Sequence, residues 1–223
     1  MKTKVLILKE DNIGEAKQRI SSDSKANYCF VLYEEDICII NIKLPKVKKK
    51  LMDKIVENQM LHKFMNMEQI SFSYSINNIN NNICDVFVYC INSYKLEILK
   101  EMNKKRRVRG IYLIQFCYME YVIRNFNVNT FLIAAKSGDT LYFIGCEKGK
   151  LKYSSILKIN ELQDVNSFFI AALQSAFTNN DDEQVYLLNC SEYFDTSFPK
   201  THIIRVDCFQ EEILIKKYVE EIK

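Results

Sequence analysis

Apolar residues recur along this chain at two different spacings, and their alternation predicts an α/β protein. Lys4 to Leu8 reads as a strand and Ile13 to Ile20 as a helix, while Tyr28 to Tyr33 and Ile37 to Lys43 read as strands joined by a turn at Glu34-Glu35-Asp36. Next, Val47, Leu51, Met52, Ile55, Val56 and Met60 fall three and four apart, the one-face pattern of a helix packed on a sheet. Pro45 is expected to start that helix, because the N–H it lacks would have no partner in a first turn. Strands at Ile70 to Ile76 and Ile83 to Ile91 follow, separated by an asparagine-rich turn from Asn77 to Asn82. A charged helix from Ser93 to Met102 and a strand from Arg109 to Phe116 close this stretch.

From Asn129 onward the pattern becomes a three-strand meander, with turns at Lys136-Ser137-Gly138 and Glu147-Lys148-Gly149 and a third strand from Leu151 to Ile159. The helix after it carries Val165, Phe168, Phe169, Ala172, Leu173, Ala176 and Phe177 on one face, with Asn160 as its cap and Asn179-Asn180 as its stop. Val185 to Asn189, a helical turn at Ser191 to Phe194, Ile203 to Val206 and a last helix around Ile213 to Ile222 complete the alternation. These elements divide the chain into a first subdomain with an inserted α/β subdomain, residues 1–124, and a second subdomain, residues 125–223. No Gly/Ser/Pro linker separates the two, so close packing is expected.

Certain stretches carry a family resemblance. They are Ile40-Asn41-Ile42-Lys43-Leu44-Pro45 ahead of a helix, Cys84 to Cys90 ahead of the helix Ser93 to Met102, Arg109-Gly110-Ile111-Tyr112-Leu113, and the hairpin Thr130 to Ile144. In order and hydrophobicity they resemble the cytoplasmic domain of the type II secretion L-component, GspL, and its type IV pilus relative, PilM. Both are members of the actin-like, ribonuclease-H-like superfamily. The resemblance covers most of the chain. It implies an actin-like ATPase (ribonuclease-H-like) α/β fold of two subdomains with mixed sheets. It also implies a scaffold at the inner face of the bacterial inner membrane, in a pilus of the bundle-forming or toxin-coregulated type or in a secretion system. Such domains bind the N-terminal domain of the hexameric assembly ATPase and couple it to inner-membrane platform proteins, often as dimers. GspL-like domains precede a membrane helix and PilM-like proteins are wholly soluble; this sequence fits either. Relatives carry a strand hairpin after the first strand. None is visible here, so the first subdomain is expected to be abbreviated, with an open edge.

Actin-like ATPases hold phosphate on two glycine-containing turns, each with a nearby acid for magnesium, and hold adenosine against a Gly-Gly turn. Glycine serves there because backbone N–H groups must approach phosphate with no Cβ in the way. The first turn here, Lys9-Glu10-Asp11-Asn12-Ile13-Gly14, keeps an acid and one glycine without a tight Asp-x-Gly order. The second, Lys136-Ser137-Gly138-Asp139-Thr140, follows Ala134-Ala135, where an acid would be needed. The third, Leu188-Asn189-Cys190-Ser191, has no glycine. With only five glycines in the chain, displaced versions of these loops are hard to place, and the nucleotide site is expected to be degenerate, with no catalytic, cofactor or metal residues. The alternative is a nucleotide-binding actin-like ATPase or kinase whose loops align differently. A ribonuclease-H-type nuclease would require carboxylates converging on two metal ions. Asp11, Asp85 and Asp139 qualify by position, yet Asp85 and Asp139 open strands, an ordinary place for aspartate. His62 and His202 read as a helix-surface and a strand-end residue. Walker and nucleophile-elbow patterns are absent.

Composition narrows the classes further. Hydrophobic residues make up 48% and charged residues 26%, the balance of a globular chain. A net charge of +3 is too small for a nucleic-acid module, which concentrates a large basic excess on one face. Two basic runs stand out: Lys46, Lys48, Lys49 and Lys50, and Lys104, Lys105, Arg106, Arg107 and Arg109. Each reads as a solvated helix surface or end, cations being favoured near a helix C-terminus, or as a dock for an acidic partner or anionic lipid. They are the candidate partner-binding residues. The eight cysteines form no CxxC pair and have no nearby histidine, whereas a zinc site needs clustered ligands. Most lie in apolar strand-like runs and read as small buried hydrophobes. No signal peptide precedes the first strand, which points to a reducing cytoplasm. No run of 18 apolar residues is present to span a bilayer.

Overall fold

The computed structural model describes residues 3–23, 25–64, 70–80, 82–104, 107–159, 165–177, 183–194 and 201–221. In chain order its elements are β1 (Thr3–Leu8), α1 (Ile13–Ser22), β2 (Asn27–Leu32), β3 (Cys38–Pro45), α2 (Lys49–Phe64), β4 (Ile70–Asn80), β5 (Ile83–Asn92), α3 (Lys95–Lys104) and β6 (Val108–Leu113). There follow α4 (Ile114–Phe126), β7 (Phe131–Ser137), β8 (Thr140–Glu147), β9 (Lys150–Lys158), α5 (Val165–Ala176), β10 (Glu183–Leu188), a 3₁₀ turn at Ser191–Tyr193, β11 (Thr201–Val206) and α6 (Glu211–Glu221). Two compact units divide the chain: Met1–Glu34 with Lys105–Lys223, and Glu35–Lys104.

The first unit holds two sheets. In one, β2 is flanked by β1 and β6, all parallel. Every residue of β2 is buried, which is why its sequence runs apolar from Tyr28 to Leu32 rather than alternating. Among the described residues β1 is one edge strand of this sheet and β6 the other. The second sheet runs β11-β10-β7-β8-β9: an antiparallel meander, then two parallel strands added on the far side of β7. That is the ribonuclease-H-like order. Helix α5 packs Phe169, Ala172 and Ala176 on Leu132, Ala134, Leu141 and Phe143. Gly145 allows the approach, since a Cβ there would lie 2.8 Å from that of Ala176.

The second unit is a β3-β5-β4 antiparallel sheet with α2 on one face. Met52, Val56 and Met60 of the helix meet Ile40 and Leu44 of β3 and Cys84, Val86, Val88 and Cys90 of β5. Glu35 forms a 2.9 Å ion pair with Lys95 at 6% and 1% side-chain exposure, and Ser93 donates to the same carboxylate at 2.7 Å.

Several boundaries differ from the sequence reading. Pro45 does not start α2; it is the last residue of edge strand β3, paired with Ile83, a position where a missing N–H is tolerated. The helix begins beyond Lys48, whose carbonyl accepts from Leu51 and Met52. The asparagine-rich stretch is strand for most of its length: β4 continues to Asn80 through a bulge between Ile76 and Asn78. The strand expected to reach Phe116 stops at Leu113, and α4, which the apolar pattern does not predict, follows it at once. Strands β2 and β3, joined by the Glu34–Asp36 turn, belong to different sheets. The cap and stop assigned to Asn160 and Asn179-Asn180 lie outside the described residues.

Candidate functional site

The three turns that would hold a nucleotide in an actin-like fold all lie in the first unit. After β1, the side chain of Asn12 folds back over its own turn. Its Oδ1 accepts from the Lys9 N–H at 2.9 Å and its Nδ2 donates to the Ile7 carbonyl at 3.1 Å. The next N–H, that of Glu10, donates to Glu34 Oε2 at 2.8 Å. Two backbone donors of the kind a phosphate would need are thus engaged by the protein's own side chains. Gly14 lies inside α1, and a Cβ there would meet nothing within 4 Å, so no close approach requires glycine at this position.

The second turn is a two-residue hairpin with Gly138 at φ +60°, Ser137 facing Thr140 across it. Ser137 Oγ donates to Glu211 Oε1 at 3.1 Å, and the Tyr33 hydroxyl donates to the same oxygen at 2.7 Å. The Tyr118 hydroxyl donates to Glu211 Oε2. Both phenols are buried, at 1% and 0% exposure. Burial, reinforced by the adjacent carboxylate charge, pushes both phenol pKa values far above the ordinary range. Glu211 opens α6, where the helix dipole favours an anion.

Lys158, at the end of β9, ties the first two turns together. Its Nζ lies 2.9 Å from Glu34 Oε1 and 3.9 Å from both Glu10 and Asp139. Burial opposes this charge, but the hydrogen bond to Glu34 and the charges of Glu34, Asp139 and Glu10 outweigh it and hold the ammonium above its ordinary pKa. The third turn is closed as well. Asn189, at φ 54°, exchanges two 2.8 Å hydrogen bonds with the backbone of Phe209, and the Cys190 thiol donates to the Ala134 carbonyl at 3.1 Å. Lys136 spans from β7 to the Tyr193 hydroxyl at 2.7 Å and Glu192 at 3.2 Å.

Glu211 therefore engages the second turn through Ser137, and Lys158 lies against acids of the first and second turns, Glu10 and Asp139. Sequence reading locates the turns but misses Glu34, Lys158, Glu211, Tyr33 and Tyr118. Nothing local marks them, since Tyr33 and Glu211 stand 178 residues apart. Of the carboxylates considered for metal, Asp85 is in the second unit and Asp11 and Asp139 in the first. No group of three or more His, Cys, Asp or Glu able to hold a metal ion occurs among the described residues. His62 and His202 are exposed, on α2 and β11.

The basic candidates separate into distinct environments. Lys46, Lys48, Lys49 and Lys50 are all exposed around the N-terminal end of α2. Lys104 ends α3, and Lys105 and Arg106 fall outside the described residues. Arg109 is exposed on β6. Arg107 is buried at 8% exposure: its Nε donates to the Ala26 carbonyl at 2.9 Å, its guanidinium reaches the carbonyls of Ile20 and Asp23, and its cation lies 5.2 Å from the Tyr28 ring centroid. Arg107 thus closes the end of α1, a structural position rather than a surface one.

The ribonuclease-H-like sheet, the parallel β1-β2-β6 sheet and these three turns define an actin-like fold. Within that fold the chain is similar to the cytoplasmic domain of EpsL, an inner membrane component of the type II secretion system of Vibrio cholerae, with a TM-score of 0.55 and 13% identity over 94% of this chain and 81% of that one. It is also similar to a chain of the PilM-PilN type IV pilus biogenesis complex, with a TM-score of 0.53 and 10% identity over 95% of this chain and 80% of that one. No protein-family model matches the sequence. No curated protein matches it either.

Proposed function

We propose that this protein is a non-catalytic cytoplasmic scaffold of a type IV pilus or type II secretion inner-membrane platform. In this reading its two actin-like subdomains meet near residue 124. It binds the N-terminal domain of the hexameric assembly ATPase and couples that motor to inner-membrane platform proteins, as a dimer, at the inner face of the bacterial inner membrane. The observation that carries the reading is the closure of all three nucleotide turns by Asn12, Glu34, Glu211, Lys158 and Asn189, on a fold similar to EpsL and PilM. No described helix is long and apolar enough to cross a membrane. Contact with the ATPase is assigned to the exposed lysines around the start of α2, with Lys104, Lys105, Arg106 and Arg109 as a second patch.

Isothermal titration tests this in two series, one with Mg-ATP and one with the N-terminal domain of the assembly ATPase. Silence with nucleotide together with micromolar binding of the ATPase domain is the expected result. Saturable Mg-ATP binding that is lost on Asp11→Ala would overturn it in favour of a nucleotide-binding actin-like ATPase or kinase.

A further inference from the structure

We propose that Cys38 and Cys90 form a redox-reversible disulfide site, oxidised by a low-molecular-weight disulfide of the glutathione disulfide class. The two residues stand directly opposite each other where β3 pairs antiparallel with β5. Opposed residues in such a pair point to one face with Cα atoms ~4.5 or ~5.5 Å apart, both inside the ~4.4–6.8 Å span that a disulfide bridges. Parity fixes which face this is. Ile40 and Leu44 of β3, and Cys84, Val86, Val88 and Cys90 of β5, are buried under α2, and Cys38 shares their alternation. No backbone movement is needed to bring the two sulfur atoms onto the same side.

The two thiols differ in access. Cys38 is exposed at the first residue of an edge strand, while Cys90 is 2% exposed with its Sγ 3.6 Å from Met60 Sδ. Cys29, Cys84, Cys117, Cys146 and Cys190 are buried, so the other exposed thiol is Cys208, which belongs to the first unit. A small disulfide in solution therefore meets Cys38 first. Cys38 gives up its proton and its thiolate attacks one glutathione sulfur, forming a mixed disulfide and expelling one glutathione thiolate, which takes up that proton. Cys90 then gives up its proton and attacks Cys38 Sγ, expelling the second glutathione thiolate, which takes up that proton. Two cysteine thiols are oxidised to one disulfide and one glutathione disulfide is reduced to two glutathiones. Burial, followed by the neighbouring Cys38, pushes the Cys90 thiol up to about 11. The second step is accordingly slow at neutral pH and accelerates about tenfold per pH unit toward that value. The finished bond ties edge strand β3 to central strand β5 and encloses α2 and β4 in one loop.

The test is incubation of the full chain with glutathione disulfide at pH 7 and pH 9, alkylation without reduction, and peptide mapping by mass spectrometry. A Cys38–Cys90 linked peptide is expected, forming faster at pH 9 and reversed by dithiothreitol. Cys90→Ser is expected to stop at a glutathione adduct on Cys38, and Cys38→Ser to leave Cys90 unmodified. A wild-type protein that halts at the Cys38 adduct at both pH values overturns the proposal. So does one whose only crosslinks run through Cys208.

Discussion

The carboxylate of Glu211 accepts from Tyr33, Tyr118 and Ser137, and two of those three donors sit at 1% exposure or less. Buried donors deprived of an ionised acceptor are costly, so Glu211→Ala is expected to lose about 2–4 kcal/mol in urea unfolding, and Glu211→Gln, which keeps one acceptor oxygen, distinctly less. The same cluster sets an alkaline limit. In the unfolded chain both phenols ionise near pH ~10, whereas in the folded protein burial and Glu211 hold them neutral well above that. The folded state then binds more protons than the unfolded one. Stability is complete below pH ~10 and falls above it, at up to ~1.4 kcal/mol per pH unit for each phenol. Lys158 acts in the same sense: its raised pKa makes its contribution present below the unfolded value and lost as pH rises through the folded one. Urea midpoints are expected to decline steeply between pH 10 and 11 and less steeply in Tyr118→Phe; a flat wild-type profile would contradict this. None of it is legible in local sequence, because Glu211 meets Tyr33, and Lys158 meets Glu34, only through the topology.

The elements legible in the sequence are those whose pattern and propensity agree. The meander β7-β8-β9 has alternating or continuous apolar runs punctuated by Gly138 and Gly149 at positive φ, and α5 repeats its apolar face at three and four. Helix α4 is hidden because Ile114 to Phe126 is rich in aromatic and β-branched residues and follows β6 without a polar break or a side-chain cap. Its one readable marker is Asn127, which takes the left-handed conformation at φ 54° and returns its N–H to the Ile123 carbonyl. Pro45 misleads for a different reason: a proline fits the end of an edge strand as well as a first helical turn. Packing between elements yields its own prediction. A methyl at Gly145 would lie 2.8 Å from Ala176 Cβ and 3.0 Å from Tyr153 Cβ, so α5 must shift off β8 to admit it. Gly145→Ala is expected to cost about 1–3 kcal/mol by thermal or urea unfolding, with Ala176→Gly recovering much of the loss in the double variant. Additive losses from the two changes would mean that they do not share this contact.

For the molecule as a whole, an actin-like fold does not by itself specify an ATPase, because function resides in the turns, and these are filled from within. A scaffold of the kind proposed acts through its surface, and the exposed lysines at the start of α2 carry an unusual signature. Lys49 and Lys50 occupy the first helical turn behind Lys48 and Lys46, with no acid among them. The helix dipole is positive at that end, so each lysine there is locally unfavourable by ~0.3–1 kcal/mol at low salt. The sequence reading sets these lysines just behind Pro45 at the start of the helix, and in the structure they lie around that same positive end. Reversing Lys48, Lys49 and Lys50 to glutamate therefore has two separable consequences. Folding stability is expected to rise slightly, since anions now sit at the positive end of α2. Affinity for an acidic surface on the assembly ATPase is expected to fall by tenfold or more, on the order of 1.4 kcal/mol, and the salt dependence of binding should flatten with it. Titration in low and physiological salt, beside urea unfolding of the same variant, reads both effects. A more stable variant that still binds with wild-type affinity would remove this helix end from the interface and leave Lys104, Lys105, Arg106 and Arg109 to be tested in its place.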